Sequence, residues 1–393
     1  MQETVRVAML IQAYLPHVGG AERQLAALAP LLSAQGVEVM VLTRRYQDWK
    51  PFEMIDEVPV YRLPIPGPKA AASLSYTVSG IRLLGRLRPD VIHAHELLSP
   101  ATTAILARRL YRIPVVAKVL RGGAIGDLAK LRRNRLLGQL RLLLLRQNID
   151  AFIAISEEIE RELEQTGVGG ERRFRIPNGV DTTRFAPLDP GEKAKLRAKL
   201  GLPHGPLALF TGRLVPEKRL DQLVEIWSQV RSRHPQATLI IAGDGPEASR
   251  LKAQAGPGVH MLGLVEDVRP YLQTADLFVL PSAYEGLSNA LLEAMAAALP
   301  VVATAVGGAR DLIRSRENGW LVPPDRPEEL KAALLSILSN PQQAALFGRQ
   351  ARQTVIEAYS LETTARKLRE LYGRLLEDRR SIRNANHILS STR

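Results

Sequence analysis

At 393 residues the chain is too long for one ordinary core, and 46% hydrophobic with 24% charged residues excludes disorder and describes a soluble globular protein of two domains. It has no cysteine, which excludes disulfides and thiolate metal sites and fits a reducing compartment. A formal net charge of +13 calls for an anionic partner, and no apolar run approaches the ~20 residues of a membrane-spanning helix.

The first residues, MQETVRVAMLIQ, set Glu3 and Arg6 beside a short apolar run, which is not the layout of a secretory signal; a cytosolic chain is expected. VRVAMLI (5–11) reads as a buried strand. A loop ending in Gly19-Gly20 leads into the helix AERQLAALAPLLSAQ, Gly36 stops it, and VEVMVL follows as a second strand. VIHAH (91–95), PVVAKVL (114–120), AFIAI (151–155) and FRIPN (174–178) are further strands, the first three each followed by helix-like sequence. Between them lies KLRRNRLLGQLRLLLLR (Lys130–Arg146), with six basic residues and no acidic one. On a helix it sets a leucine face against an arginine face. Two uses stay open: the leucines pack on the core under a solvated face, or the segment lies on an anionic membrane surface. Nucleic acid is not an expected partner, because aromatic residues are only 5% and are not interleaved with the basic run.

Near Pro187–Glu192 (PLDPGE) the composition turns linker-like and the pattern restarts. PLALFTG (206–212), ATLIIAG (237–243), VHMLG (259–263), DLFVL (276–280) and VVAT (301–304) are strands separated by helices. The fold class is α/β, two Rossmann-like domains over 1–186 and 187–360 facing an interdomain cleft, with ligands expected at the carboxyl ends of the strands. A dinucleotide-binding oxidoreductase is set aside for want of its glycine fingerprint: QAYLPHVGGAE follows the first strand, and GDGPE (243–247) lacks the third glycine.

The residues that follow the strands repeat one theme. They include Gly19-Gly20, Arg121-Gly122-Gly123, Asn178-Gly179, Gly212-Arg213, Gly243-Asp244-Gly245, Gly263 and Tyr284-Glu285-Gly286. Glycine-rich loops feeding helix starts favour anions by about 0.3–1 kcal/mol per end. Arg213 and Lys218, five residues apart, suit a diphosphate, and a pair of solvated loop cations is the plain alternative. In YEGLSNALLE (284–293), Ser288 or Asn289 is a suitable N-cap for a helix over 290–299. Glu293 is the single charged residue between Gly286 and Arg310, one turn beyond Asn289 on the same face. Phosphates at Leu287–Ala290 would bring a ribose diol within its reach, while Glu285 would meet the group beyond the phosphates. Paired glycosidase carboxylates are the competing use of two glutamates, but they leave the phosphate-binding features unexplained. His93 and His95 point to one side of their strand. His93 reads as a satisfied core histidine and His95 as a substrate contact; a metal site with Glu96 lacks a third ligand.

Taken together and in order, these pieces resemble the family 4 retaining glycosyltransferases of the GT-B fold (glycosyl transferases group 1). The match runs through Gly19-Gly20-Ala21-Glu22, His93-Ala94-His95, Asn178-Gly179-Val180-Asp181, Gly212-Arg213 with Glu217-Lys218, Gly243-Asp244-Gly245, and Glu285 through Glu293, which fits the family's E-x7-E motif. The resemblance implies transfer of a sugar from a nucleotide diphosphate sugar to a saccharide or lipid-linked acceptor, with retention and with neither metal nor cofactor. It assigns His95 and Glu285 to the donor sugar, Arg213 and Lys218 to the diphosphate, and Glu293 to the ribose. Backbone at Leu287, Ser288, Asn289 and Ala290 faces the leaving phosphate; Gly20, Gly212, Gly243 and Leu264 complete the donor side. Where relatives are expected to carry His-Gly after the strand PVVAKVL, this chain has Arg121-Gly122, so Arg121 is a candidate acceptor contact. The resemblance also implies that a helix over about 361–380 packs back on the N-terminal domain, leaving 381–393 as a flexible tail. The setting it implies is bacterial envelope polysaccharide or glycolipid synthesis, in the cytoplasm or peripheral on the inner membrane face. The alternatives are a non-catalytic nucleotide-sugar or membrane-surface binding protein, and a GT-B sugar-nucleotide epimerase.

Overall fold

The computed structural model describes residues 4–391 apart from 18, 47 and 134. The chain forms two compact units, Met1–Pro177 with Leu361–Arg393, and Asn178–Ser360. The first holds an eight-stranded sheet of β1 (Val5–Leu10), β2 (Val37–Arg45), β3 (Phe52–Ile55), β4 (Val58–Pro64), β5 (Val91–His95), β6 (Val115–Val119), β7 (Ala151–Ala154) and β8 (Arg173–Arg175). Their order is β3-β4-β2-β1-β5-β6-β7-β8. Every pairing is parallel except β3–β4. The central strands are covered on both faces, which is why they read as near-continuous Val, Ile and Ala rather than as an alternation. Val7 sits opposite Val39 on one side and Val91 on the other.

The β3–β4 hairpin has no counterpart in the expected elements. Its turn, Asp56-Glu57, takes left-handed backbone without a glycine, and β3 alternates exposed and half-buried positions, so neither usual signal is present.

Helix Gly20–Ala34 buries Leu25, Leu28, Ala29 and Leu32 in the core of this unit. The helix Leu361–Ser391 enters the same core through Leu361, Ala365, Leu368, Leu371 and Tyr372, a spacing of three and four that keeps one face inward. Arg369 ties the two helices by donating to the Gln35 carbonyl at 3.3 Å. This last helix continues through the polar stretch that the sequence marks as frayed: no glycine or proline follows Gly373 to stop it. Residues 392–393 lie outside the described residues. Among the described residues no helix is long and apolar enough to cross a membrane.

The second unit is a six-stranded, all-parallel sheet of β9 (Leu207–Thr211), β10 (Thr238–Ala242), β11 (Val259–Gly263), β12 (Leu277–Leu280), β13 (Val301–Thr304) and β14 (Trp320–Val322). The order is β11-β10-β9-β12-β13-β14; β14, only three residues long, is too short to carry a pattern. The division between units falls at Pro177–Asn178, ahead of the linker-like PLDPGE. That stretch starts a helix, Pro190–Lys199. Asp189 accepts from the Glu192 amide at 2.9 Å, Glu192 accepts from the Asp189 amide at 3.3 Å, and Pro190 takes the first turn. Proline, glycine and acids here form a capping box, whose composition is that of a linker.

In each sheet the strand order reverses once: between β1 and β5, and between β9 and β12. Open parallel sheets place ligands at the carboxyl ends of the strands flanking such a point.

Candidate functional site

In the second unit, β9 ends at Thr211-Gly212 and β12 leads to Pro281-Ser282. The loop after β9 carries Arg213, exposed and with no side-chain partner among the described residues, and then Lys218. The loop after β12 carries Glu285. The structure brings Lys218 and Glu285 together as an ion pair, with side chains only 18% and 12% exposed. Glu285 also accepts from Ser282 Oγ at 2.7 Å, and the two loops are pinned by the Ala283 amide donating to the Glu217 carbonyl at 2.8 Å. The sequence reading gives these two residues separate partners; here each compensates the other, and a ligand must compete with that pair.

Beyond the pair, Ser288 caps the helix Asn289–Ala296 by accepting from the Leu291 amide at 3.3 Å. The helix is shorter than the expected 290–299, because Ala298 turns left-handed ahead of Pro300. Its first amides have no partner inside the helix and carry the positive end of its dipole. Asn178 holds this helix start in place, its amide donating to Asn289 Oδ1 at 3.0 Å and to the Leu287 carbonyl at 3.4 Å. Leu287 and Ser288 are buried, and Asn289 and Ala290 are half-buried. Glu293 lies one turn on. It is half-buried while Leu291, Leu292, Ala294 and Met295 around it are buried, so the carboxylate is less desolvated than its sequence neighbours imply.

Two sets of glycines lock these loops. A Cβ on Gly243, whose φ is +156°, would overlap the Gly212 carbonyl oxygen. The loops after β9 and β10 are that close because Gly212 N–H donates to Ala242 (3.0 Å) and Leu214 N–H to Asp244 (2.8 Å). The Gly243 amide donates to Gly263 at 2.7 Å, and the next residue, Leu264, is 79% exposed at the end of β11. Gly307, φ +48°, is a position that sequence reasoning missed: a Cβ there would overlap the Glu285 carbonyl, and the Gly308 amide donates to Gly286 at 2.6 Å. Thus the loop after β13 clamps the loop that carries Glu285. The signal was a Gly-Gly pair just past the strand VVAT.

Gly20, His95 and Arg121 belong to the first unit. Gly20 opens the helix Gly20–Ala34, whose N-cap Gly19 offers no side chain. His95, expected to contact the substrate, is buried, its ring stacked on His93 with centroids 4.5 Å apart. His93 Nδ1 meets the Tyr372 hydroxyl at 2.7 Å, whereas His95 Nε2 has no partner among the described residues. Burial and the charge of Lys118 hold His95 neutral down to about pH 3, and burial brings Lys118 itself down to about 8.

Glu96, the next residue, was weighed in the sequence only as a metal ligand. It takes a left-handed φ of +83°, accepts from Gln12 Nε2 at 2.5 Å, and so joins the ends of β1 and β5 at the reversal of strand order. Burial pushes its carboxyl up to about 7, helped by Asp127 and opposed by the Gln12 amide and by the charge of Arg121. Between pH 4.5 and 7 folded Glu96 binds more protons than unfolded, so this group makes stability fall as pH rises. His95 does the reverse between pH 3 and 6.5. Glu96→Gln should therefore steepen the rise of the urea midpoint between pH 4.5 and 6.5. An unchanged or flatter profile would contradict the buried carboxyl.

Residues 205–340 match the family model described as Glycosyl transferases group 1, and residues 19–179 match the Glycosyl transferase 4-like domain. The chain belongs to the group 1 glycosyltransferases. Its fold is GT-B, two parallel-sheet α/β units. This glycosyltransferase is 33% identical over 224 residues to a GDP-mannose-dependent alpha-(1-6)-phosphatidylinositol monomannoside mannosyltransferase from Mycolicibacterium smegmatis, spanning 53% of this chain and 57% of that protein. It is 28% identical over 432 residues to a D-inositol 3-phosphate glycosyltransferase from Kineococcus radiotolerans, covering 98% and 97% of the two chains. Among solved structures it is similar to a sucrose-phosphate synthase from Thermosynechococcus elongatus (TM-score 0.81, 23% identity, 95% of this chain and 100% of that one). It is also similar to HepE from Anabaena in complex with UDP-glucose (TM-score 0.77, 21% identity, 94% and 99%).

Proposed function

We propose that this glycosyltransferase moves a sugar from a nucleotide diphosphate sugar to a saccharide or lipid-linked acceptor, with retention at the anomeric carbon and without a metal ion. The observation that carries this reading is the Lys218–Glu285 pair beside the Ser288-capped helix start, at the strand reversal of the second unit. In the transfer, the bond between the sugar's anomeric carbon and the leaving phosphate oxygen breaks, and negative charge grows on that phosphate. Lys218, Arg213 and the amides at Leu287–Ala290 are preorganised for it, the work a divalent ion would otherwise do. The acceptor oxygen bonds to the anomeric carbon on the face the phosphate leaves, and its proton passes to the phosphate oxygen. Glu285 would hold the sugar, and Glu293 the ribose diol. Arg121, beside the raised carboxyl of Glu96, is the acceptor candidate.

The mannosyltransferase and inositol phosphate relatives, and the UDP-glucose complex of HepE, support a nucleotide-sugar donor and a polyol, saccharide or lipid-linked acceptor. The setting we assign is bacterial envelope polysaccharide or glycolipid synthesis, in the cytoplasm at the inner membrane face. The test incubates the full chain with UDP-, GDP- and ADP-sugars and an acceptor panel, and reads nucleoside diphosphate release and the product anomer by proton NMR. One donor should give release matched by an α-product from an α-donor. A β-product overturns retention. Donor binding without release makes the chain a binding module, and donor conversion without acceptor makes it an epimerase.

A further inference from the structure

The helix Arg135–Asn148 carries more leucine than the core requires. Leu142 and Leu145 are buried, with Gly138 buried one turn ahead of Leu142, and these positions account for its packing. Leu137, Leu140 and Leu143, spaced by three on the outer face, are 68%, 54% and 45% exposed. A surface helix normally sets polar residues there. The sequence had one leucine face opposite an arginine face; the structure has leucine on both. The adjoining helix, Ser99–Tyr111, exposes Leu106 and Leu110. It is held alongside by Arg141 donating to Thr102 Oγ1 (2.8 Å) and Arg109 donating to Asn148 Oδ1 (2.9 Å).

Beside the stripe is a cavity of about 370 Å³ whose lining includes Arg132, Gln139, Leu143, Arg146, Gln165 and Thr166. Leu143 belongs to both cavity and stripe. Arg146 Nε is buried there with no partner among the described residues, and its guanidinium lies under Gly167. Lys130, Arg132 and Arg133 are exposed along the preceding turn. No acidic residue occurs between Lys130 and Arg146; Asn134 lies outside the described residues. The acids of the nearby helix Glu157–Gln165 are matched in part by arginines, Glu157 by Arg161 and Glu164 by Arg173.

We infer that this face docks on an anionic lipid bilayer, with Leu137, Leu140 and Leu143 entering the headgroup–acyl boundary and the Arg132–Arg146 cavity taking a lipid phosphate. Charge complementarity selects the occupant: Asp127 faces Lys130 and Arg141, and Glu162 faces Arg132, yet the cations of Lys130–Arg146 outnumber these acids. An apolar stripe beside that excess fits a surface that is itself negative, whereas a second copy of the chain would bring like charge. The inference stands on this surface alone and does not depend on which acceptor the chain uses.

The test is co-sedimentation of the full chain with phosphatidylcholine vesicles, with and without phosphatidylglycerol, as NaCl is raised. Binding should require phosphatidylglycerol and weaken with salt. Leu137→Glu with Leu140→Glu should abolish it, and Arg132→Ala or Arg146→Ala should each weaken it about fivefold. Thermal midpoints of the leucine variant should stay unchanged, since both side chains are exposed. Nucleoside diphosphate release in solution, measured separately, keeps a failure here distinct from a failure of sugar transfer. Absence of vesicle binding at low salt, or binding that survives both leucine substitutions, overturns the inference. So does a chain that sediments as a dimer and becomes monomeric on Leu137→Glu and Leu140→Glu.

Discussion

Lys218→Met is expected to lower kcat/KM for sugar transfer by about a hundredfold or more, the effect of removing one preorganised donor from a developing oxyanion. The variant keeps most of the apolar stem and removes the ammonium, with its charge and its N–H donors. Two losses combine. The leaving phosphate loses a cation, and Glu285, now uncompensated, faces that phosphate as a like charge. The same change should cost stability. Breaking a buried pair costs about 3–5 kcal/mol, which partial exposure of both side chains reduces to about 2–3 kcal/mol. Glu285→Ala should differ: it lowers turnover chiefly, because it removes the sugar-facing acid while leaving Lys218 free for the diphosphate. Initial rates with saturating acceptor, alongside urea midpoints, separate these outcomes. A Lys218→Met enzyme with unchanged kcat/KM would mean that the ion pair is structural and that the diphosphate is bound elsewhere.

Glu293→Ala is expected to raise the dissociation constant for the nucleoside diphosphate about tenfold to a hundredfold, with little change in kcat at saturating donor. A hydrogen bond to a charged group contributes about 1.5–3 kcal/mol, and a carboxylate facing a vicinal diol makes up to two. The half-buried position of Glu293 is what a ribose ligand requires: enough burial to strengthen the bond, enough access for a sugar to arrive. Titration calorimetry with a 2′,3′-dideoxy nucleotide supplies the control. The wild-type chain should lose affinity for it, and Glu293→Ala should add nothing further. An equal loss with ribose and dideoxyribose nucleotides would place Glu293 away from the sugar.

How much of this could be read from residues alone varies with the range of the interaction. The parallel strands were legible because β5, β6 and β9 are buried along their whole length and their composition shows it. The helix start at Ser288 was legible because capping is local chemistry. The Lys218–Glu285 pair was not: it joins loops 67 positions apart, and only the adjacency of β9 and β12 creates it. Glu96 was missed for the same reason, since its raised carboxyl comes from burial and Asp127, 31 residues away in the chain. The outer leucines escaped because helical spacing cannot say how many leucines the core will take. PLDPGE misled in the other direction, where a capping box and a linker share a composition.

We propose that the helix start at Ser288, with Lys218 and Arg213, binds the diphosphate of a nucleotide donor. Calorimetric titration of the full chain with a nucleoside, its monophosphate and its diphosphate tests this most directly, for uridine, guanosine and adenosine in turn. For one base, affinity should climb at each step, the largest gain coming with the second phosphate and shrinking in Lys218→Met. Equal affinity for the nucleoside and its diphosphate, or a gain that Lys218→Met leaves intact, would contradict the account.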